Sequence, residues 1–274
     1  MLSTEKLAKQ SLRRQERIFK RRMFWLGIEH PMSLQAAGVF GASLQEHGEL
    51  RRACSIKLLR SDAAALTFGP LNVVSLAAKS SYGIALISLN EFDEAEIILK
   101  EALDGQVQTL GSENPETLKT KEYLAIALHR SGSQKEAIVL MEEVVSTRRQ
   151  AQGIFDKEYL QAADRLAEWW SSAGELPKAL ALSKKVVDSG RRRYGDEDKD
   201  TLIHLSHLAL FLWRSGDRVA ALNTSKQACA GLIVIAGPRD PHTHVALVNR
   251  AIFLRGAGNY EEAAALEKEY GLRS

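Results

Sequence analysis

Cysteine is nearly absent from this chain: Cys54 and Cys229 are the only two in 274 residues, and they lie far apart. A pair so placed excludes the disulfide framework of a small secreted domain and fits reduced thiols in a cytosolic protein. Proline is also sparse, at six residues, which leaves room for long helices. Alternating β-branched runs are few, which argues against a sheet protein. No apolar run approaches the ~20 residues of a membrane-spanning helix. The N-terminal stretch MLSTEKLAKQSLRRQERIFKRR has no apolar segment of the secretory kind. Its basic, amphipathic character suits a mitochondrial presequence, but Glu5 and Glu16 count against one. The net charge of +3 and pI of about 8.8 are a mild excess. Nucleic-acid binding needs a concentrated basic face. Neither a nucleic-acid nor a membrane partner is therefore expected, and the expected location is cytoplasmic.

What the chain does have is helix formers, a hydrophobic content of 45%, and a repeat. Gly27, Gly69, Gly111, Gly153, Gly195 and Gly237 are each 42 residues apart. Gly48, Asn90, Gly132, Gly174, Gly216 and Gly258 keep the same spacing. So do Ala53, Ala95, Ala137, Ala179, Ala221 and Ala263, and so do Gly41, Gly83, Ala125, Ala167, Ala209 and Ala251. A large apolar series, Leu44, Leu86, Leu128, Trp170, Leu212 and Leu254, completes the register. Each series has a physical reading. The Gly/Asn positions fall between two apolar-periodic stretches, where helices end on a left-handed residue. The Ala/Gly positions let two helices approach closely. The large apolar series should fill the core between them.

The segments LGIEHPMSL (26–34) and LGSENPETL (110–118) align residue for residue, and GPRDPHTH (237–244) follows the same plan. His30, Asn114 and Asp240 each precede a proline, the pattern of an N-cap followed by a first helical residue. A first helix of each repeat is thus expected to begin near Pro31, Pro115 or Pro241 and to run to the inner glycine. A second helix follows, as in residues 131–152. The expected organisation is a half repeat or capping helix over 1–26. Six helix–turn–helix repeats then occupy 27–68, 69–110, 111–152, 153–194, 195–236 and 237–274, the last one shortened. One hairpin of this kind cannot bury its own apolar face, so stability must come from stacking neighbours.

The LGxE(H/N)P loop, the period and the LA…G…EA register resemble the kinesin-light-chain class of tetratricopeptide repeats over residues 27–274. The resemblance implies an all-α, right-handed superhelical solenoid of antiparallel hairpins that binds a peptide or protein segment in a concave groove lined by the first helices. Carried onto this register, it implies groove positions at Lys119, Glu122, Ile126, His129 and Arg130, then at Gln161, Asp164, Glu168, Ser171 and Ser172. It continues at Ile203, Ser206, Leu210, Trp213 and Arg214, and ends at Val245, Val248, Ile252 and Arg255. The expected partner-contacting set is Lys119, His129, Arg130, Leu210, Trp213, Arg214, Val248, Ile252 and Arg255. An apolar floor with Trp213, Arg214 and Arg255 suits a peptide with an apolar or acidic residue. Packing of the shortened last repeat would instead make Trp213 and Ile252 ordinary core. Many repeats of this class carry an Asn–Asn pair before the Leu–Ala. The matching positions here are Glu122–Tyr123, Asp164–Arg165, Ser206–His207 and Val248–Asn249, so only Asn249 is kept.

A rival reading is a sensor or oligomerisation segment of a larger signalling protein that works through end-to-end contacts and possible self-association. The run RIFKRRMFWLG (17–27) mixes arginines with Phe19, Met23, Phe24 and Trp25, which are the end-contact candidates. The other basic runs, such as Arg148–Arg149 and Arg191–Arg193, read as solvated edges near helix ends, where cations complement the dipole. His204 and His207 are three apart on an expected helix, and His242 and His244 open the next. A metal site needs three or four converging ligands, so none is expected. Phosphate-loop, nucleophile-elbow and zinc-protease motifs are lacking, so neither a cofactor nor catalysis is expected.

Overall fold

A computed structural model describes residues 4–272; the ends of the first half repeat and of the last repeat, residues 1–3 and 273–274, lie outside the described residues. The described elements are all helical: α1 (Thr4–Leu26), α2 (Pro31–Glu46), α3 (Leu50–Phe68), α4 (Val73–Ser88), α5 (Phe92–Leu110), α6 (Pro115–Ser131), α7 (Gln134–Ala151), α8 (Lys157–Ser172), α9 (Leu176–Tyr194), α10 (Lys199–Arg214), α11 (Arg218–Ala236), α12 (Pro241–Gly256) and α13 (Tyr260–Tyr270). The even-numbered elements are the first helices of the hairpins. The chain divides into two compact units, one ending at Val144 and one beginning at Val145, with the division inside α7.

Each first helix begins on a capped turn. His30, Asn72, Asn114, Asp156, Asp198 and Asp240 are the N-caps of α2, α4, α6, α8, α10 and α12. Each has an extended backbone, and each side chain accepts a hydrogen bond from an N–H in the first turn. Three of the six precede a proline and were legible as caps in the sequence. The other three precede Val73, Lys157 and Lys199 and do the same job without it.

The hairpin turns need one left-handed residue each. Asn90 has φ 64°, and it is the only non-glycine with positive φ among the described residues. Asparagine tolerates that conformation better than other side chains.

Within the N-terminal unit, α1 packs on α2 and every helix packs on the next as far as α6, while α4 also touches α6. Within the C-terminal unit, α8 to α13 pack in sequence, and the first helix α10 also touches α8 on one side and α12 on the other. That side-by-side alignment makes their common face the recessed one in this unit.

The repeated small residues lie in the core as expected: all six alanines from Ala53 to Ala263 are buried. The large apolar series is buried too, except at Trp170. Trp170 is half-buried and has the Lys178 ammonium 5.9 Å from its ring centroid. α11 is long and apolar enough to cross a bilayer by length and composition alone. Here its Ala221, Ala228 and Leu232 pack into the core of the C-terminal unit.

Size is matched across the hairpins. A Cβ on Gly83 would stand 2.7 Å from Leu99 Cγ, against 3.2 Å from the flexible Lys57 Cγ at Gly41. One repeat interval further along the same series Leu99 gives way to Met141, and beyond that to Ser183 and Ser225, where the facing series has alanine. Gly83→Ala is therefore expected to destabilise the N-terminal unit by about 1–3 kcal/mol through overpacking. Gly41→Ala should cost much less. Paired urea melts followed by circular dichroism would show the two apart, and equal midpoints would contradict the packing argument.

Candidate functional site

The recessed face of the C-terminal unit holds a cleft of about 510 Å³. Its walls come from three successive first helices: Gln161, Asp164, Arg165 and Glu168 of α8, Asp200, Ile203, His204, Ser206 and His207 of α10, and His242 and Val245 of α12. On α8, Gln161, Asp164 and Glu168 follow helical i, i+3, i+7 spacing. The opposite face of α8 buries Leu166 and Trp169. One amphipathic helix thus serves the core and presents carboxylates to the cleft.

The centre of the cleft is an ion cluster. His207 Nδ1 donates to Asp164 Oδ2 at 2.7 Å, and His207 Nε2 lies 3.3 Å from Glu168 Oε1. His204 Nδ1 is 3.0 Å from the same Asp164 oxygen, but its angle is too poor for a hydrogen bond. The other carboxylate oxygen, Asp164 Oδ1, is buried and has no donor within the protein. Asp164 as a whole is only 5% exposed.

Burial alone would push the Asp164 carboxyl up. The charges of His207 and His204 and the hydrogen bond from His207 outweigh it, and they hold the group well below the usual carboxylate range. Burial alone would likewise push His207 down. The Asp164 charge and hydrogen bond, with Glu168 behind them, raise it instead to about 9. Burial raises the Glu168 carboxyl, with the His207 charge opposing. At neutral pH the cluster is therefore an imidazolium between two carboxyl groups, tying α8 to α10.

This sets a pH dependence. A histidine whose pKa rises from 6.5 to about 9 on folding contributes stability that is fully present below pH 6.5 and is lost as pH rises through about 9. The lowered Asp164 contributes stability present above pH 3.8 and lost as pH falls through its depressed folded value. The urea midpoint of the C-terminal unit should thus fall between neutrality and pH ~9.5. His207→Gln should flatten that slope. A wild-type midpoint that stays level over the same range would rule out the raised histidine.

Among the expected contacts, Lys119 and Arg130 are exposed on α6 in the N-terminal unit, and His129 is half-buried beside them. Burial, then the neighbouring Arg130 charge, lowers the His129 pKa. In the C-terminal unit, Leu210 and Val248 are half-buried and Ile252 is exposed. Trp213 does not offer an anchor. One ring face stacks on Phe253 at 4.8 Å between centroids, and the Arg218 guanidinium lies 3.7 Å over the ring. The arginines are engaged as well: Arg255 grips Glu267 through two bonds of 2.9 and 2.6 Å, and Arg214 donates to Ser171 Oγ at 2.7 Å. The apolar–arginine site expected at Trp213, Arg214 and Arg255 is thus largely consumed by packing and internal pairing.

Phe19 is also corrected. It is 4% exposed and stacked on Phe40 at 5.6 Å, so it is core and not an end contact. Its neighbours Phe24 and Trp25 are 78% and 72% exposed, and Met23 is exposed as well. Arg148 departs from a solvated edge too: it is buried and donates to the Glu158 carbonyl at 3.1 Å. Among the described residues no group of three or more His, Cys, Asp or Glu side chains is arranged to hold a metal ion. His204, His207 and His242 reach the cleft, and His244 does not line it.

Several of the pairs that the sequence reading missed fall at two recurring offsets. Neighbouring first helices pair at i, i+43: Gln45 with Ser88, Asp164 with His207, Ser171 with Arg214, Lys157 with Asp200. The two helices of a hairpin pair at i, i+12: Gln45 with Lys57, Tyr82 with Glu94, Arg250 with Glu262, Arg255 with Glu267. Complementary residues at those offsets were the available signal.

Two family models match the chain, both of the tetratricopeptide repeat, over residues 75–150 and 244–266. No curated protein matches it in sequence. Among solved structures it is similar to the nearly identical TPR-like repeats of kinesin-light-chain type from Podosopora anserina. The identity there is 23% and the TM-score 0.66, covering 76% of this chain and 98% of that one. It is also similar to BtubC from P. vanneervenii, at 17% identity and TM-score 0.64 over 87% and 90% of the two chains. A Rap protein complexed with competence and sporulation factor is similar at 14% identity and TM-score 0.63, over 97% and 70%. These identities speak for the fold, and the family matches speak for the repeat. The chain carries tetratricopeptide repeats over residues 75–150 and 244–266 and has the fold of an all-α solenoid.

Proposed function

We propose that the chain is a non-catalytic interaction scaffold and that the C-terminal unit receives a segment of a protein partner against α8, α10 and α12. The observation that carries this reading is the cleft of about 510 Å³ at which three first helices converge, with Asp164 Oδ1 still lacking a donor. A buried acceptor without a donor costs about 1–3 kcal/mol, which a bound donor offsets. The engaged arginines speak against an acidic anchor at the C-terminal end. The exposed Ile252 supplies apolar contact beyond the cleft. Cys54 and Cys229 are buried free thiols, and burial pushes the Cys229 thiol up to about 11, which suits a protein of the cytoplasm.

Peptides selected from a random display library on the folded chain test the site. Their affinity should fall about tenfold or more with Glu168→Lys or Ile203→Asp while helicity is unchanged. Selected peptides that ignore both changes but are lost with Lys119→Glu and Arg130→Glu would move the site to α6 and overturn the assignment.

A further inference from the structure

The flank of α1 beside its contact with α2 forms an open helix seat among the described residues. In the first full repeat, Gly41 of α2 sits over Ile56 and Lys57 of α3; in the second, Gly83 of α4 sits over Ile98 and Leu99 of α5. One repeat earlier the same two positions are Arg14 and Gln15 of α1. Ser11 stands one repeat before Ala53, and Ile18 stands one repeat before Arg60, in register with Ala102, Val144, Val186 and Ala228. Ala53, Lys57, Leu99, Ala102, Val144, Val186 and Ala228 are buried, and Ile56, Arg60 and Ile98 are half-buried. Ser11 and Arg14 are exposed, and Gln15 and Ile18 are only half-buried. Between Ile18, Arg21, Arg22, Trp25 and Leu26 lies an open depression of about 400 Å³. Among the described residues no helix covers this face.

We propose that this seat docks an acidic, amphipathic α-helix from a protein partner, laid antiparallel along α1 as the first helix of each later hairpin lies along its second. Continuity with the hairpin interface sets the shape. A helix there needs small residues where it crosses Arg14 and Gln15, and apolar residues over Ile18 and Trp25, which are two turns or about 10 Å apart. Charge sets the chemistry. Arg14 stands where the later hairpins shown have isoleucine, and Arg13, Arg17 and Arg21 beside it are exposed. The nearest carboxylate, Glu16, is engaged by Lys20 at 2.9 Å and Arg52 at 3.2 Å. Two α1 helices placed face to face would repel, so an isologous pair of copies is disfavoured. A partner bringing glutamates on the flanks of its seam answers the arginines.

The test uses two synthetic helices of about eighteen residues with one alanine–leucine seam, flanked by glutamate in one and by lysine in the other. Fluorescence anisotropy with the full chain should show the glutamate peptide binding at least tenfold more tightly than the lysine peptide. Ile18→Asp and Arg14→Glu should each abolish that preference. Ile18 packs partly against the cluster of Leu12, Phe19 and Phe40, whereas Arg14 is exposed, so Arg14→Glu, whose circular dichroism should stay unchanged, carries the test if Ile18→Asp unfolds α1. His207→Ala should leave binding intact, which separates this seat from the groove. Equal binding of the two peptides, or binding of neither, overturns the proposal. So does a concentration-dependent dimer in sedimentation velocity that Ile18→Asp abolishes, since the occupant would then be a second copy. Capture by phosphatidylserine vesicles that outcompetes the peptide also overturns it, since the face would then serve an anionic membrane.

Discussion

Asp164→Ala is expected to destabilise the C-terminal unit by about 3 kcal/mol, as removal of one partner from a buried ion pair does. The carboxylate is almost wholly enclosed, and its Oδ2 serves His207 at 2.7 Å with His204 close by. Without it the imidazolium of His207 faces only Glu168, at 3.3 Å and on the solvent side. The histidine then gives up its proton, which limits the loss but leaves α8 and α10 without their polar tie. Asp164→Asn keeps the shape and one acceptor, so it should cost roughly half as much. Urea unfolding read by tryptophan emission suits the measurement, because Trp169, Trp170 and Trp213 all lie in this unit. The gap between wild type and Asp164→Ala should be widest above pH 3.8 and below pH 6.5, and should narrow as pH rises from there. It should close above pH ~9, where His207 is neutral in the wild type as well. A gap that is constant in pH would mean that Asp164 acts through packing alone.

The repeat was fully legible because a solenoid writes its contacts locally. Each hairpin meets only its neighbours, so the same steric demand recurs at the same offset. A left-handed turn asks for Gly or Asn wherever it falls, and Asn90 shows the constraint at its limit. The caps were half legible. Proline flagged His30, Asn114 and Asp240, whereas Asn72, Asp156 and Asp198 carry only the side-chain signal. Of the positions that the resemblance implied on α8 and α10, Gln161, Asp164, Glu168, Ile203 and Ser206 line the cleft, whereas Ser171, Ser172, Leu210, Trp213 and Arg214 do not. Which of them had chemistry to spare was not legible. That depends on which side chains find one another between helices, and a one-residue stagger decides it. Asp164 meets His207, not the Ser206 that the strict period would place opposite. Arg255 appeared to be a free guanidinium because its mate lies on the following helix. Phe19 appeared to belong with Phe24 and Trp25 by composition, but 100° per residue turns it to the other side of α1.

Phe253→Ala is the second large effect, and it bears on what Trp213 is for. Phe253 is fully buried, and its ring stacks on Trp213 with 17° between the planes. Its removal should cost about 3–5 kcal/mol, the usual range for an aromatic lost from a core. The cavity would open beneath the indole, which is backed by Gly256 and has Arg218 over its ring. Trp213 emission should shift to the red as water reaches the ring. The loss should fall on the last two repeats, since α10, α11 and α12 share one core cluster. Ile252, the preceding residue, points the other way and is 54% exposed. Ile252→Ala should change stability by no more than about 0.5 kcal/mol, and its effect should appear in partner capture instead. One helical step thus separates a residue that holds the array together from one available to a ligand. If Phe253→Ala left stability intact while Ile252→Ala lowered it, that division between the faces of α12 would be reversed, and Trp213 would return as a candidate anchor.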